Sequence, residues 1–215
     1  LCQVETLPFE LLYLSLFGYS PRDNSQIAQK SRDLKSHVKA GRIETIRKAV
    51  SFCNDLEPNE YNEFLNSNVT LVPIPGSSLF LEGAVRPPAL ISQALYEAGL
   101  AYNVADILYR DHAVPKSSNF FTSDERPLFT THYNSFRLRT SLHITQDITL
   151  VDDILTMGRT AYGAALRLIE AYPNAKIRLF SLQRTPYNKS ISELLSVERG
   201  VIIAYPSGKT YIPID

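Results

Sequence analysis

The sequence is poor in cysteine, has no excess of charge of either sign, and contains no apolar run long enough to span a bilayer. Cys2 and Cys53 stand far apart and outside any CxxC pair, so neither a zinc element nor a disulfide framework is indicated. Both read as reduced thiols of a cytoplasmic protein. Lysine and arginine number 22, and aspartate and glutamate 22. This balance leaves no net field to draw the chain onto nucleic acid or an acidic membrane. The basic cluster at residues 42–48 reads as a solvated helix face. The short apolar stretch at 11–17 follows Glu5 and Glu10, where a secretory leader would carry positive charge, and a core helix is expected there. No GxxxxGK[ST] loop and no GxGxxG occur, which argues against a Walker nucleotide site and a Rossmann dinucleotide site. There is no internal repeat and no low-complexity tract.

What is present suits a soluble domain with an additional subdomain: 215 residues, 44% hydrophobic and 20% charged. Residues 1–66 read as a helical N-terminal subdomain, a hood or docking element, with no β-rich run. Ile27, Leu34 and Val38 recur on one helical face and Gly41 follows as a stop. Ile43, Ile46, Val50 and Cys53 recur in the same way, and Pro58 opens a short helix containing Tyr61, Phe64 and Leu65.

Residues 67–215 have a different texture. Apolar runs at 69–74, 104–109, 148–151, 177–182 and 201–205 read as strands, and 88–98 and 160–172 as helices between them. In the second helix Ala161, Ala164, Ala165, Leu168 and Ile169 face inward. Ser190 and Glu193 have capping-box spacing before a further short helix. Fully apolar strands alternating with helices imply an α/β fold, a parallel sheet covered on both faces. The polar, aperiodic stretch at 110–131 reads as a long functional loop.

Chemistry concentrates at residues 148–160, where a strand leads to two carboxylates, a turn and a helix. Ligands of such sheets bind at the carboxyl ends of the strands. The first N–H groups of the helix lack intrahelical partners and sit in the positive end of its dipole, which suits a phosphate. Gly158 lets the backbone approach the anion. Thr156 and Thr160 add hydroxyl donors, each hydrogen bond to a charged group contributing roughly 1.5–3 kcal/mol. Asp152 and Asp153 would repel a phosphate but suit the two hydroxyls of a ribose. The strand is expected to stop at this acidic pair. Taken together, the segment reads as a site for a phosphorylated ribose.

Val151-Asp-Asp-Ile-Leu-Thr-Met-Gly-Arg-Thr160 resembles the phosphoribosyl pyrophosphate signature of type I phosphoribosyltransferases. The branch it looks most like is the ComF-type (competence protein F-like) one. Val72-Pro-Ile-Pro75 resembles that branch's first core strand, residues 110–118 its mobile loop, and His132-Tyr-Asn-Ser-Phe136 the strand after it. The likeness covers roughly residues 69–185. It implies a type I phosphoribosyltransferase-like parallel sheet with a hood over the site. Asp152 and Asp153 would hold the ribose hydroxyls, and Thr156, Met157, Gly158, Arg159 and Thr160 the 5-phosphate. Gly76, Ser77 and Ser78, with Arg86, would approach the pyrophosphate. Magnesium would come with the substrate, held by its own oxygens. The chain departs from the branch in lacking a four-cysteine zinc element. It offers a single basic residue, Arg86, between residues 77 and 88, and places Met157 where a small or hydroxyl residue is usual.

The reaction so implied displaces pyrophosphate from the anomeric carbon by a nitrogen nucleophile, through a transition state like an oxocarbenium ion. Lys116 and Arg126, both in the long loop, are the candidates for stabilising the departing pyrophosphate. None of His37, His112, His132 and His143 has metal-ligand spacing; His37 reads as an exposed helix residue, and His112 and His132 bracket the loop. A second reading is a non-catalytic sensor that binds phosphoribosyl pyrophosphate or a nucleotide and acts through a protein partner or as a homo-oligomer. A third makes the N-terminal helices a docking surface. The acceptor is not legible from the sequence.

Overall fold

The computed structural model describes residues 9–120, 122, 124–141, 143–188 and 190–213, with the Ser118 side chain outside the described set. Cys2 and Glu5 lie outside the described residues. The first half of the chain forms β1 (Leu11–Gly18), α1 (Gln26–Lys39), α2 (Ile43–Ser51), α3 (Pro58–Tyr61), β2 (Asn66–Pro73), α4 (Pro87–Glu97), β3 (Ala101–Val104) and β4 (Leu108–Arg110). The second half forms α5 (Phe129–Ser135), β5 (Phe136–Leu138), β6 (Asp147–Leu155), α6 (Arg159–Ala171), β7 (Lys176–Arg184), β8 (Leu195–Ala204) and β9 (Thr210–Tyr211).

Seven strands make the central sheet in the order β3-β2-β6-β7-β1-β8-β9. The neighbours β3/β2, β2/β6, β6/β7 and β7/β1 are parallel, and β1/β8 and β8/β9 antiparallel. The fold is therefore α/β with a mostly parallel sheet. Both faces are covered, as its apolar strands require. One face buries Val151 and Phe180 against Val38 of α1, Ile46 and Val50 of α2, and Ile91 and Leu95 of α4. The other buries Ile148, Leu150 and Leu179 against Phe129 of α5 and Ala161, Tyr162, Ala165 and Leu168 of α6.

Helices α1, α2, α4 and α6 form where the apolar spacing places them. Ser25 caps α1 by accepting a hydrogen bond from Ala28 N at 3.1 Å. Gly41 follows it with φ +71°. His37, in its last turn, is half-buried rather than exposed.

The stretch at 11–17 is a strand and not the expected core helix. A short apolar run has no decisive period, and here it is buried between two partners, β7 on one side and β8 on the other. With β1 inside the sheet, one buried cluster takes in Leu14, Val38, Phe64 and Leu65 together with Val69 and Val151, and so runs across residue 66.

Four further expectations change. The run at 104–109 is split: Ala105 N still bonds Leu71 O, but Leu108–Arg110 leaves the main sheet and pairs antiparallel with β5. Burial of Ile107 and Leu108 beside Phe136 pulls it there. Residues 132–135 are the end of helix α5, and the strand begins only at Phe136. The serine and glutamate at 190 and 193 start no helix; the chain runs through turns directly into β8. Strand β6 does not stop at the acidic pair, because β7 keeps offering ladder partners as far as Leu155↔Arg184.

Helix α5 lies tight against α6 because Gly163 has no side chain. A Cβ there would come within 2.7 Å of Phe129 O and 2.9 Å of Tyr133 N. Those are backbone atoms and cannot swing aside. Gly163→Ala is expected to lower the free energy of unfolding by about 1–3 kcal/mol in urea titrations. An unchanged midpoint would show that the two helices slide apart freely.

Candidate functional site

The carboxyl ends of β2, β6 and β7 meet the turn that opens α6. Strand β6 extends through residues 152 and 153, so the two side chains leave it on opposite faces of the sheet, yet their carboxyl groups stay close enough to interact directly.

Asp153 is buried on the face covered by α1, where Lys39 Nζ lies 2.6 Å from its Oδ2. Partial desolvation works against the Lys39 ammonium, but the Asp153 carboxylate outweighs it and holds the lysine pKa above its usual range. Asp152 is half-buried, and its Oδ1 accepts a hydrogen bond from Asp153 N at 2.9 Å. Burial pushes the Asp152 carboxyl up, the Asp153 charge pushes it further, and the result is a value of about 8.

The turn itself is held from behind. Gly158 is the N-cap of α6 with φ +76°, and no side chain caps the helix. A Cβ at Gly158 would meet Ile202 Cδ1 at 2.6 Å. The glycine is thus required by its left-handed backbone and by β8 packed against it, a different reason from close approach of an anion. The Met157 carbonyl accepts from Thr210 Oγ1 at 2.5 Å, so β9 clamps the same turn. Thr156 Oγ1 lies 3.3 Å from Thr185 Oγ1, and Thr160 Oγ1 lies 3.3 Å from His132 Nε2. Arg159 is buried and donates to Arg126 O at 2.8 Å.

The residues expected on the pyrophosphate side are more scattered. Gly76 O accepts from Arg110 Nε at 2.5 Å, and Ser77 O accepts from Val114 N at 2.9 Å. Ser78 is exposed. Arg86 is spoken for by Asp106, through two hydrogen bonds of 2.5 Å. Lys116 is exposed at the start of a 3₁₀ turn. Arg126 is half-buried beside Arg159, and the Nε of each lacks a hydrogen-bond partner. No contact among the described residues joins Lys116 or Arg126 to Asp152.

Sequence reasoning passed over Lys39 and Thr185, and it took Arg110 only as the start of a loop. Arg110 is buried, stacked 4.0 Å from the Phe136 ring centroid, and bonded to Ser135 Oγ and to His132 Nδ1. Burial pushes its pKa down to about 10, partly offset by the Asp152 charge. Lys39 carried one usable signal, a cation in the last turn of a helix that ends at Gly41; nothing in the spacing marked its partner. Among the described residues no group of three His, Cys, Asp or Glu side chains could hold a metal ion. Among the described residues no helix is long and apolar enough to cross a membrane.

A carboxyl whose folded pKa is raised binds its proton more tightly in the native state than in the unfolded chain, where about 3.9 is usual. The stability Asp152 contributes is therefore fully present below about pH 4 and is lost as pH rises through about 8. Asp152→Asn should remove that decline. Urea unfolding at several pH values across this window is expected to show wild-type stability falling with pH and the variant's staying flatter; parallel curves would contradict the shift.

No model of a known protein family matches the chain, and no curated protein matches it. Among solved structures, a hypoxanthine phosphoribosyltransferase from Staphylococcus aureus is similar at 14% identity, covering 71% of this chain and 70% of its own, with a TM-score of 0.38. An adenine phosphoribosyltransferase from Leishmania tarentolae is similar at 16% identity, covering 81% of this chain and 85% of its own, with a TM-score of 0.32.

Proposed function

We propose that the protein is a phosphoribosyltransferase of the type I kind, in its ComF-type branch, acting on phosphoribosyl pyrophosphate and a nitrogenous, nucleobase-like acceptor. The observation that carries this reading is the unit Asp152–Thr160. A half-buried carboxylate on a central parallel strand is followed within a few residues by a helix start that no side chain caps. An acid for sugar hydroxyls and a set of backbone donors for a phosphate thus share one edge of the sheet.

In this mechanism the 5-phosphate sits on the turn at 156–160 and Asp152 holds the ribose hydroxyls. The bond from the anomeric carbon to the pyrophosphate oxygen breaks, and a bond to the acceptor nitrogen forms. Positive charge grows on the ribose ring meanwhile; it favours the ionised form of Asp152, whose carboxylate then stabilises it. Asp153 joins the ribose contact only once Lys39 releases it. Magnesium, carried in on the substrate's own oxygens, would neutralise the leaving group. Lys116 and Arg126 assist that departure when the long loop folds over the site. The N-terminal helices serve as part of the cover, a role supported by the reach of Lys39 from α1 to the acidic strand.

A second reading has a specific observation in its favour. Arg86 is neutralised by Asp106 and Asp153 by Lys39, which leaves few groups committed to pyrophosphate. That arrangement suits a sensor that binds phosphoribosyl pyrophosphate without turning it over and signals through a protein partner or a second copy.

Pyrophosphate release from phosphoribosyl pyrophosphate and magnesium, across a panel of nucleobases, separates the two. The enzyme is expected to release pyrophosphate with at least one base, and Asp152→Asn to lower kcat/KM about 100-fold or more. Tight calorimetric binding with no release would establish the sensor. Absence of binding would remove both.

A further inference from the structure

His132 lies buried between α5 and α6, and its two ring nitrogens have different neighbours. Arg110 Nη2 is 3.1 Å from Nδ1. A guanidinium has donors and no acceptor, so this bond runs one way and Nδ1 accepts. Burial, with the charges of Arg110 and Arg159, pushes the His132 pKa down to about 3, so the ring is neutral. A neutral imidazole that accepts at Nδ1 carries its proton on Nε2. Nε2 lies 3.3 Å from Thr160 Oγ1. The ring therefore donates and the hydroxyl oxygen accepts. The hydroxyl proton of Thr160 cannot be returned to Nε2, and among the described residues it makes no second hydrogen bond. Thr160 is half-buried in the first turn of α6, two residues from the N-cap.

We infer that His132 is a positioning residue that commits the Thr160 hydroxyl as a donor to the phosphate bound at the amino end of α6. The inference rests on the ribose 5-phosphate reading given above; the tautomer on which it turns does not. Arg110 is the anchor of the arrangement. Its Nε donates to Gly76 O at 2.5 Å and its Nη1 bonds Ser135 Oγ, so the guanidinium is fixed on three sides. The backbone approach at Gly163 holds the ring within reach, since His132 Cβ would sit 3.1 Å from a Cβ at that position. Neither Arg110 nor His132 need touch substrate.

Two measurements test this. Nitrogen-detected NMR of the free wild-type protein at neutral pH reports the tautomer directly. The proton is expected on Nε2, and a proton on Nδ1 overturns the inference. Calorimetric titration with ribose 5-phosphate reads the consequence. Thr160→Val should weaken binding about tenfold or more, the loss of a hydrogen bond to a charged group, while Thr160→Ser retains affinity. His132→Phe should lose as much, and His132→Phe combined with Thr160→Val no more than either alone. His132→Gln, whose amide can donate to Thr160, should recover part of the loss even if His132→Phe folds poorly. Full affinity in His132→Phe, or losses that simply add in the double variant, would overturn the positioning role. Failure of the wild-type protein to bind ribose 5-phosphate would overturn the functional reading and the role of Thr160 together, whatever the tautomer.

Discussion

Two adjacent acids in one central strand act on each other directly, and the site is arranged around that coupling. Strand β6 is hydrogen-bonded to β2 and β7 on its two sides. A strand so held roots residues 152 and 153 on opposite faces, and only the ends of their side chains come together. Each acid then needs its own partner, since an uncompensated buried charge is costly. Asp153 meets Lys39 from α1. Asp152 stays half-buried with its pKa raised, close enough to Arg110 for that guanidinium to feel its charge. The first acid is stabilised as an ion pair. The second keeps unmet demand, which is what a ligand-binding carboxylate requires.

The rest of the site follows from what packs on each face. Helix α1 reaches the acidic strand because β1 lies inside the sheet beside β7, which brings the N-terminal helices onto the same layer as α4. On the opposite face, α5 comes against α6 at Gly163, and the short β4–β5 pair carries Arg110 over the carboxyl edge of the strands. The turn at 156–160 is supported by residues far away in sequence: Ile202 behind Gly158 and Thr210 on the Met157 carbonyl. These contacts fix its shape before any ligand is present.

Much of this was legible before any coordinates. The strand–turn–helix at 148–160, the helices α1, α2, α4 and α6 and the parallel core follow from apolar spacing and from Gly158. What failed did so for identifiable reasons. The run at 11–17 is too short for its period to separate helix from strand, and only the vacancy between β7 and β8 decides it. The strand was expected to stop at Asp152 and Asp153, whereas its length is set by β7, a strand 29 residues away in register. Arg86 looked like the cation of the pyrophosphate side because its partner Asp106 is distant in sequence. Partners of this kind leave no trace in local spacing.

The two ends of the site are joined by one chain of hydrogen bonds. It runs from the Gly76 carbonyl, on the turn after β2, through Arg110 and His132 to the hydroxyl of Thr160 in the phosphate turn. Each link is directional, because arginine only donates and a neutral imidazole donates from one nitrogen. A shift of the turn at Gly76 would move Arg110, and with it the acceptor that fixes the His132 tautomer. The turn at Gly76 is thereby tied to the orientation of the Thr160 hydroxyl. Under the function proposed above, that dependence would join the two anionic groups of one substrate.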